Sequence, residues 1–113
     1  TAPTDISAPG TLARHYAPRT PLLLMPPQAI EAYLHAHPQT ICGVLSPHQP
    51  TGAANMAVWQ QAADNATQYA HELYRHLRTL DSAAISQMII ATPPATEEWA
   101  AIHDRLKRAA SVG

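Results

Sequence analysis

Cysteine occurs once, at Cys42, so an internal disulfide is impossible. That residue sits in the apolar run Thr40-Ile41-Cys42-Gly43-Val44-Leu45, a setting for a buried small hydrophobe. Glycine is scarce as well. Only Gly10, Gly43, Gly52 and Gly113 are present, and none follows the first apolar run. A dinucleotide site needs glycines there, so that backbone N–H groups can cradle a phosphate. This chain has Met25-Pro26-Pro27 instead, and prolines donate no N–H. Charged residues make up 13% of the chain and the net charge is −1. There is no broad basic field for a nucleic-acid backbone and no acidic tail, so no direct nucleic-acid partner is expected. No apolar run approaches the ~20 residues of a membrane helix. No signal peptide is visible. Together with the lone cysteine, these absences suggest a cytoplasmic setting and no membrane partner.

What remains fits one domain with a short lead-in, since the chain has 113 residues. A globule of this size buries roughly two-thirds of its unfolded surface and needs no staples. The chain starts at Thr1 rather than Met, as a segment of a longer protein would. Residues 1–20 carry Pro3, Pro9 and Pro18 and no apolar periodicity, so they read as a linker, with the domain at 21–113.

Leu22-Leu23-Leu24-Met25 reads as a strand buried on both faces. Pro26-Pro27 ends it and opens a helix through Ile30, Tyr33, Leu34 and His37, which Pro38 stops. Thr40–Ser46 is a second strand, 47–55 a loop and 56–60 a third strand. Asp64 or Asn65 caps a helix whose stripe is Ala66, Tyr69, Ala70, Leu73, Leu77 and Leu80. Ile85–Ala91 is a fourth strand, closed by Pro93-Pro94. Thr96 is placed to cap a last helix, with Glu97 and Glu98 in its first turn and Trp99, Ile102, Leu106 and Ala109 inward. Strands alternating with amphipathic helices predict an α/β fold, a small three-layer Rossmann-like sandwich with a mostly parallel four-stranded sheet. The link 47–55 is short for a parallel crossover. Either it holds one tight helical turn or the third strand is antiparallel.

Several site chemistries fail on spacing. His35 and His37 lie two apart on a helix, and His71 and His76 five apart, so neither pair makes the i, i+4 face of a helical metal site. No Cys-x-x-Cys exists, and no metal is expected. A phosphoacceptor domain needs clustered acids after the first strand and an Asp ending the third, and neither is present. Ser46-Pro47-His48 ends the second strand, where α/β sheets place ligands. It lacks the glycine-flanked elbow of a hydrolase nucleophile, so a strand-closing turn is the plainer reading and an esterase-like use of Ser46 and His48 the bolder one. Trp59, Trp99, Tyr69 and Tyr74 read as core or near-core residues. Glu72-Arg75 and Asp104-Arg105 read as solvated helix pairs.

The lead-in is different. Between Pro9-Gly10 and Pro18 it gathers Arg14, His15 and Tyr16. Prolines stiffen such a segment, Gly10 allows a turn, and three hydrogen-bonding side chains are presented. The choice lies between a ligand-contacting loop and a plain Pro-rich linker.

Three stretches together carry a resemblance. They are Pro9-Gly10 with Arg14-His15-Tyr16-Ala17-Pro18 and Thr20-Pro21-Leu22; the run from Tyr69-Ala70-His71-Glu72-Leu73-Tyr74 to Leu80-Asp81; and the run from Ala101-Ile102-His103 to Ala109-Ala110. In this order and spacing the chain resembles the interdomain linker and C-terminal domain of long-form threonylcarbamoyl-AMP synthases. Two stretches depart from that pattern: Thr11-Leu12-Ala13 replaces the usual Met-Lys-Tyr, and Thr96-Glu97-Glu98-Trp99 replaces a glycine-rich turn.

The resemblance implies a parent enzyme that makes threonylcarbamoyl-AMP and pyrophosphate from L-threonine, bicarbonate and ATP (with magnesium). The product feeds threonylcarbamoylation of adenosine in tRNA. Catalysis would belong to an N-terminal YrdC-like domain, and this segment alone would bind no cofactor. Pro9, Gly10, Arg14, His15, Tyr16 and Pro18 would close over ATP, L-threonine or the adenylate. The body would be an accessory element, with the tRNA threonylcarbamoyl transferase machinery as a further candidate partner. A stand-alone α/β module that binds a small ligand or a protein without catalysis is the other reading.

Overall fold

The computed structural model describes residues 18–112. Strand β1 (Leu22–Met25) is framed by Pro21 and by Pro26-Pro27. A 3-10 turn, Pro27–Ala29, starts at a proline whose missing N–H costs nothing there, and leads into α1 (Ile30–Ala36). Pro38 cannot continue that helix, which closes at His37. There the Tyr33 carbonyl accepts from the His37 backbone N–H at 3.1 Å.

Strand β2 (Cys42–Ser46) is buried at every position, and β3 (Met56–Gln61) is half-buried. Helix α2 (Ala66–Ser82) is capped by Asn65, whose side chain accepts from the Gln68 N–H at 2.8 Å. Strand β4 (Gln87–Ala91), a second 3-10 turn (Glu97–Trp99) and α3 (Ala100–Val112) complete the chain.

The four strands run parallel in the order β1-β4-β2-β3. β4 pairs with β1 from Leu22↔Met88 to Met25↔Ala91, and β2 with β4 from Cys42↔Gln87 to Leu45↔Ile90. Side chains alternate between two cores. Leu22, Leu45, Met88 and Ile90 meet Leu73, Leu77, Trp99, Ile102 and Leu106 of α2 and α3 with its preceding turn. On the other face Cys42, Val44, Ile89 and Ala91 meet Ile30 and Leu34 of α1. The result is three layers, as the alternating pattern predicts. Gly43 lies under α2, where an added Cβ would stand 2.8 Å from Ile85 Cδ1, 2.9 Å from Val58 Cγ1 and 3.0 Å from Leu80 Cδ2.

The short link between β2 and β3 resolves in favour of a parallel third strand with no helical turn. Side-chain ties to α1 take the place of a crossover helix. Asn55 is buried, and its amide donates to the carbonyls of Leu34 at 3.1 Å, His37 at 2.9 Å and Thr40 at 3.0 Å. Its own carbonyl accepts from the Cys42 N–H at 2.8 Å. Glu31 accepts from the Thr51 backbone N–H at 2.9 Å, and His35 Nε2 lies 2.9 Å from the Gly52 carbonyl. Gly52 has φ +70°, a conformation that favours glycine.

Some local expectations need correction. β2 and β4 start two residues later than their apolar runs, because Ile41 is spent accepting from Ser86 and Gln87. Thr96 precedes the second 3-10 turn but makes no side-chain cap bond. Asp104 pairs with Arg108 at 3.1 Å, one helical turn on, rather than with its neighbour Arg105.

Candidate functional site

Because all four strands are parallel, the sheet has one edge of strand starts and one of strand ends. The segment Pro18–Pro21 enters β1 at the first. Asp81, in the last turn of α2, accepts three bonds from it. The Arg19 N–H reaches Oδ2 at 3.2 Å, while the Thr20 N–H and hydroxyl reach Oδ1 at 2.9 and 2.8 Å. The Pro21 carbonyl then accepts from the Met88 N–H and from Gln87 Nε2, both at 2.8 Å. Pro18 is buried just ahead of this clamp. Of the linker residues singled out by sequence, Pro9, Gly10, Arg14, His15 and Tyr16 lie outside the described residues.

The opposite edge is a cleft. Segments leaving β1 and β2 turn toward the α1 face, and those leaving β3 and β4 toward the α2–α3 face, so adjacent strand ends split apart. Ligands of open α/β sheets bind in such splits. Three cavities meet around Pro47. One of about 410 Å³ lies between the first turn of α1 and the Ser46–Pro50 segment. One of about 670 Å³ lies between His48 and α2, and one of about 290 Å³ lies between Pro27, Pro47 and Pro93-Pro94.

Ser46 is no nucleophile here. It is 2% exposed, its hydroxyl donates to the His48 carbonyl at 2.8 Å, and it accepts from Trp59 Nε1 at 3.0 Å. Both roles of the hydroxyl are taken by partners that hold the turn closed, and neither partner is a base. The strand-closing reading stands and the esterase-like one falls.

His76 belongs to the buried stripe of α2, which the apolar pattern alone did not show. Its Nδ1 lies 2.8 Å from Gln60 Oε1 and its Nε2 3.5 Å from Glu72 Oε1. Burial, aided by the Arg75 charge, holds the imidazole below its ordinary pKa, while Glu72 opposes that shift. The Glu72 carboxyl is held below its ordinary value first by the Gln68 amide, with His76 and Arg75 adding to it against a desolvation cost. Tyr69 and Trp99 pack edge to face, with centroids 5.2 Å apart. The Tyr69 hydroxyl is buried without a hydrogen-bond partner, and desolvation raises its pKa well above the ordinary phenol value. Among the described residues, no group of three or more His, Cys, Asp or Glu side chains is placed to hold a metal ion. No helix among them is long and apolar enough to cross a membrane.

The fold and the clamp define a small three-layer α/β domain that holds Arg19 and Thr20, ahead of β1, at the strand-start edge of its sheet. Residues 1–111 match the family model described as threonylcarbamoyl-AMP synthase, C-terminal domain, and the chain belongs to that family. No curated protein matches it. Membership places the chain in threonylcarbamoyladenosine biosynthesis and implies a parent synthase with an N-terminal catalytic domain.

Proposed function

We propose that this chain is the accessory C-terminal domain of a threonylcarbamoyl-AMP synthase, and that its linker covers the active site of the neighbouring catalytic domain. The parent reaction joins L-threonine, bicarbonate and ATP into threonylcarbamoyl-AMP and releases pyrophosphate. The product is a labile mixed anhydride, so a lid that excludes water preserves it. Arg14 is the group for a phosphate or carboxylate, because its guanidinium pairs with either in a bidentate fashion. His15 and Tyr16 donate hydrogen bonds to the nucleotide or the threonine part, and Pro9, Gly10 and Pro18 shape the backbone around them. ATP, magnesium and threonine are handled on the catalytic domain, and the body of the present domain fixes where the lid begins.

The observation that carries this reading is the clamp on the linker root. A carboxylate that takes three bonds from Arg19 and Thr20 makes a defined starting point for the segment before it. A casual spacer needs no such clamp. The test compares the intact parent enzyme with one truncated before Ser7 and one retaining only residues 1–20 of this chain. Threonine- and bicarbonate-dependent pyrophosphate release is followed, and the adenylate product is identified. Loss on truncation and recovery with residues 1–20 supports a lid. Unchanged product formation after truncation refutes it.

A further inference from the structure

The strand-start edge carries more than the clamp. A cavity of about 470 Å³ opens beside it, lined by Arg19, Thr20, Pro21, Asp81, Ser82 and Ile85. Ile41 borders the same turn, since its carbonyl accepts from the Ser86 N–H at 2.8 Å and the Gln87 N–H at 3.2 Å. Its side chain is 40% exposed. The other exposed large hydrophobic among the described residues is Leu23, at 37%, in the strand that the clamped segment enters. Arg19, next to the clamped Thr20, and Arg78, one turn before Ser82 on α2, are both exposed.

Chain length decides what this edge faces. A chain spans at most about 3.3–3.6 Å per residue, so four residues reach about 14 Å and five about 18 Å. Tyr16 is four residues from the clamped Thr20 and His15 five. The strand-end edge is farther off than either. Ala66 and Asp81 are fifteen residues apart on α2, about 22 Å along its axis. On the lid reading His15 and Tyr16 touch the nucleotide or the threonine part. A catalytic cleft within their reach therefore lies on the strand-start side, and one facing the strand ends is out of range.

We propose that the strand-start edge, from the clamp cavity to Ile41, is the surface against which the parent's N-terminal catalytic domain docks when the lid is closed. This inference rests on the lid reading. The surface calls for a partner patch with an apolar centre that meets Ile41 and enters the cavity beside Ile85, and with carboxylates at the rim for Arg19 and Arg78. The docked face is continuous with the covalent connection, so contact there needs no long excursion of the chain.

Amide hydrogen exchange of the intact parent enzyme tests this. It is measured alone and with L-threonine, bicarbonate and the α,β-methylene analogue of ATP, whose bridging carbon blocks pyrophosphate release. The expected result is exchange slowed about tenfold or more in the segments 38–42 and 82–86, with 47–50 and 61–65 unchanged. Ile41→Glu in the parent should abolish the slowing at 82–86 and lower kcat/KM about fivefold, the effect of one well-placed interface residue. Gln49→Glu, exposed at the strand-end edge, should do neither. Unchanged exchange at 38–42 and 82–86, or protection at 47–50 and 61–65 in their place, overturns the docking surface. So does an Ile41→Glu enzyme that keeps both the slowing and the rate. Truncation before Ser7 separates the two readings. If it abolishes product while the strand-start amides stay unprotected, the lid stands and this surface falls. If product is unchanged while those amides are protected, the lid falls and the surface stands.

Discussion

Replacing Asn55 tests the least expected feature of the fold, a parallel crossover without a helix. Its amide has two N–H groups and three carbonyls within 2.9–3.1 Å, so one hydrogen is shared. Asn55→Ala removes these bonds. The carbonyls are not left wholly bare: Leu34 O keeps the His37 N–H at 3.3 Å, His37 O the Thr40 N–H at 3.0 Å, and Thr40 O the Cys42 thiol at 3.5 Å. The loss is therefore the bonds themselves, at about 1 kcal/mol each, rather than three full desolvation penalties. That gives about 2–3 kcal/mol. Asn55→Asp is the sharper variant. At neutral pH it puts a carboxylate with no donor against three carbonyl oxygens in a site 7% exposed. It should cost at least ~2 kcal/mol more than Asn55→Ala at pH 7.

The sign of the pH dependence follows. In the folded variant the new carboxyl has its pKa raised above the unfolded value of about 3.9. The folded state then binds more protons than the unfolded state between the two values. Stability falls as pH rises through that window and recovers as pH drops back through it. The gap between the two variants should close toward pH 4, where the protonated carboxyl of the Asn55→Asp variant donates one bond. Urea unfolding at pH 4 to 8 measures this, with Trp59 beside the loop and Trp99 in the opposite core as fluorescence probes. A loss below ~0.5 kcal/mol for Asn55→Ala, against the ~1 kcal/mol of a single bond, refutes the role given to Asn55. So does an Asn55→Asp variant that tracks Asn55→Ala at every pH.

Three further outcomes follow from other contacts. Asp81→Ala should speed tryptic cleavage at Arg19–Thr20 about tenfold, because both flanking amides lose their acceptor. Asp81→Asn should do less, since one oxygen still serves Thr20; equal cleavage in all three proteins refutes the clamp. Gly43→Ala should cost about 1–3 kcal/mol in urea unfolding, as a methyl group meets the side chains of Ile85, Val58 and buried Leu80. An unchanged midpoint would show that Ile85, Val58 and Leu80 yield freely. His76, held neutral by burial, should make stability fall as pH drops below its unfolded value of about 6.5 and continue falling to its lower folded value. His76→Gln should flatten that part of the profile, and a profile that keeps its slope assigns the slope to other groups.

The layers and most strands were legible because prolines end three of the apolar runs, Pro26 after β1, Pro47 after β2 and Pro93 after β4. Leu22–Met25 ends at Pro26, and Ile89 and Ile90 lie shortly before Pro93. The spacing of Tyr69, Leu73, Leu77 and Leu80 marked the inner face of α2. What stayed hidden rests on single polar side chains that no period reports. Asn55 sits in a polar loop and looks like any turn residue, yet it ties the start of β3 to Leu34, His37, Thr40 and Cys42. His76 lies on the buried face but interrupts the apolar pattern, and its bond to Gln60, with Glu72 beside its other ring nitrogen, accounts for its place. Asp81 was within a stretch that carried the family resemblance. Nothing in the spacing shows that it reaches back 61 residues to Thr20. The vacant hydrogen-bond position on Tyr69 is an absence, which a sequence pattern cannot register.

An all-parallel sheet of four strands separates its two edges, and that separation bears on how an accessory domain serves a catalytic one. On the lid reading, the useful property of the body is to hold one end of the linker. Closing a loop costs entropy that grows only with the logarithm of its length, so removing Arg19 and Thr20 from the free segment gains little by shortening. The gain lies in geometry. A tethered segment acts at an effective concentration set by whether its reach matches the span, and a fixed root sets that span. Asp81 at the strand-start edge would thus tune closure through position rather than affinity. The strand-end cleft, about the length of α2 away, is left unburdened by that task.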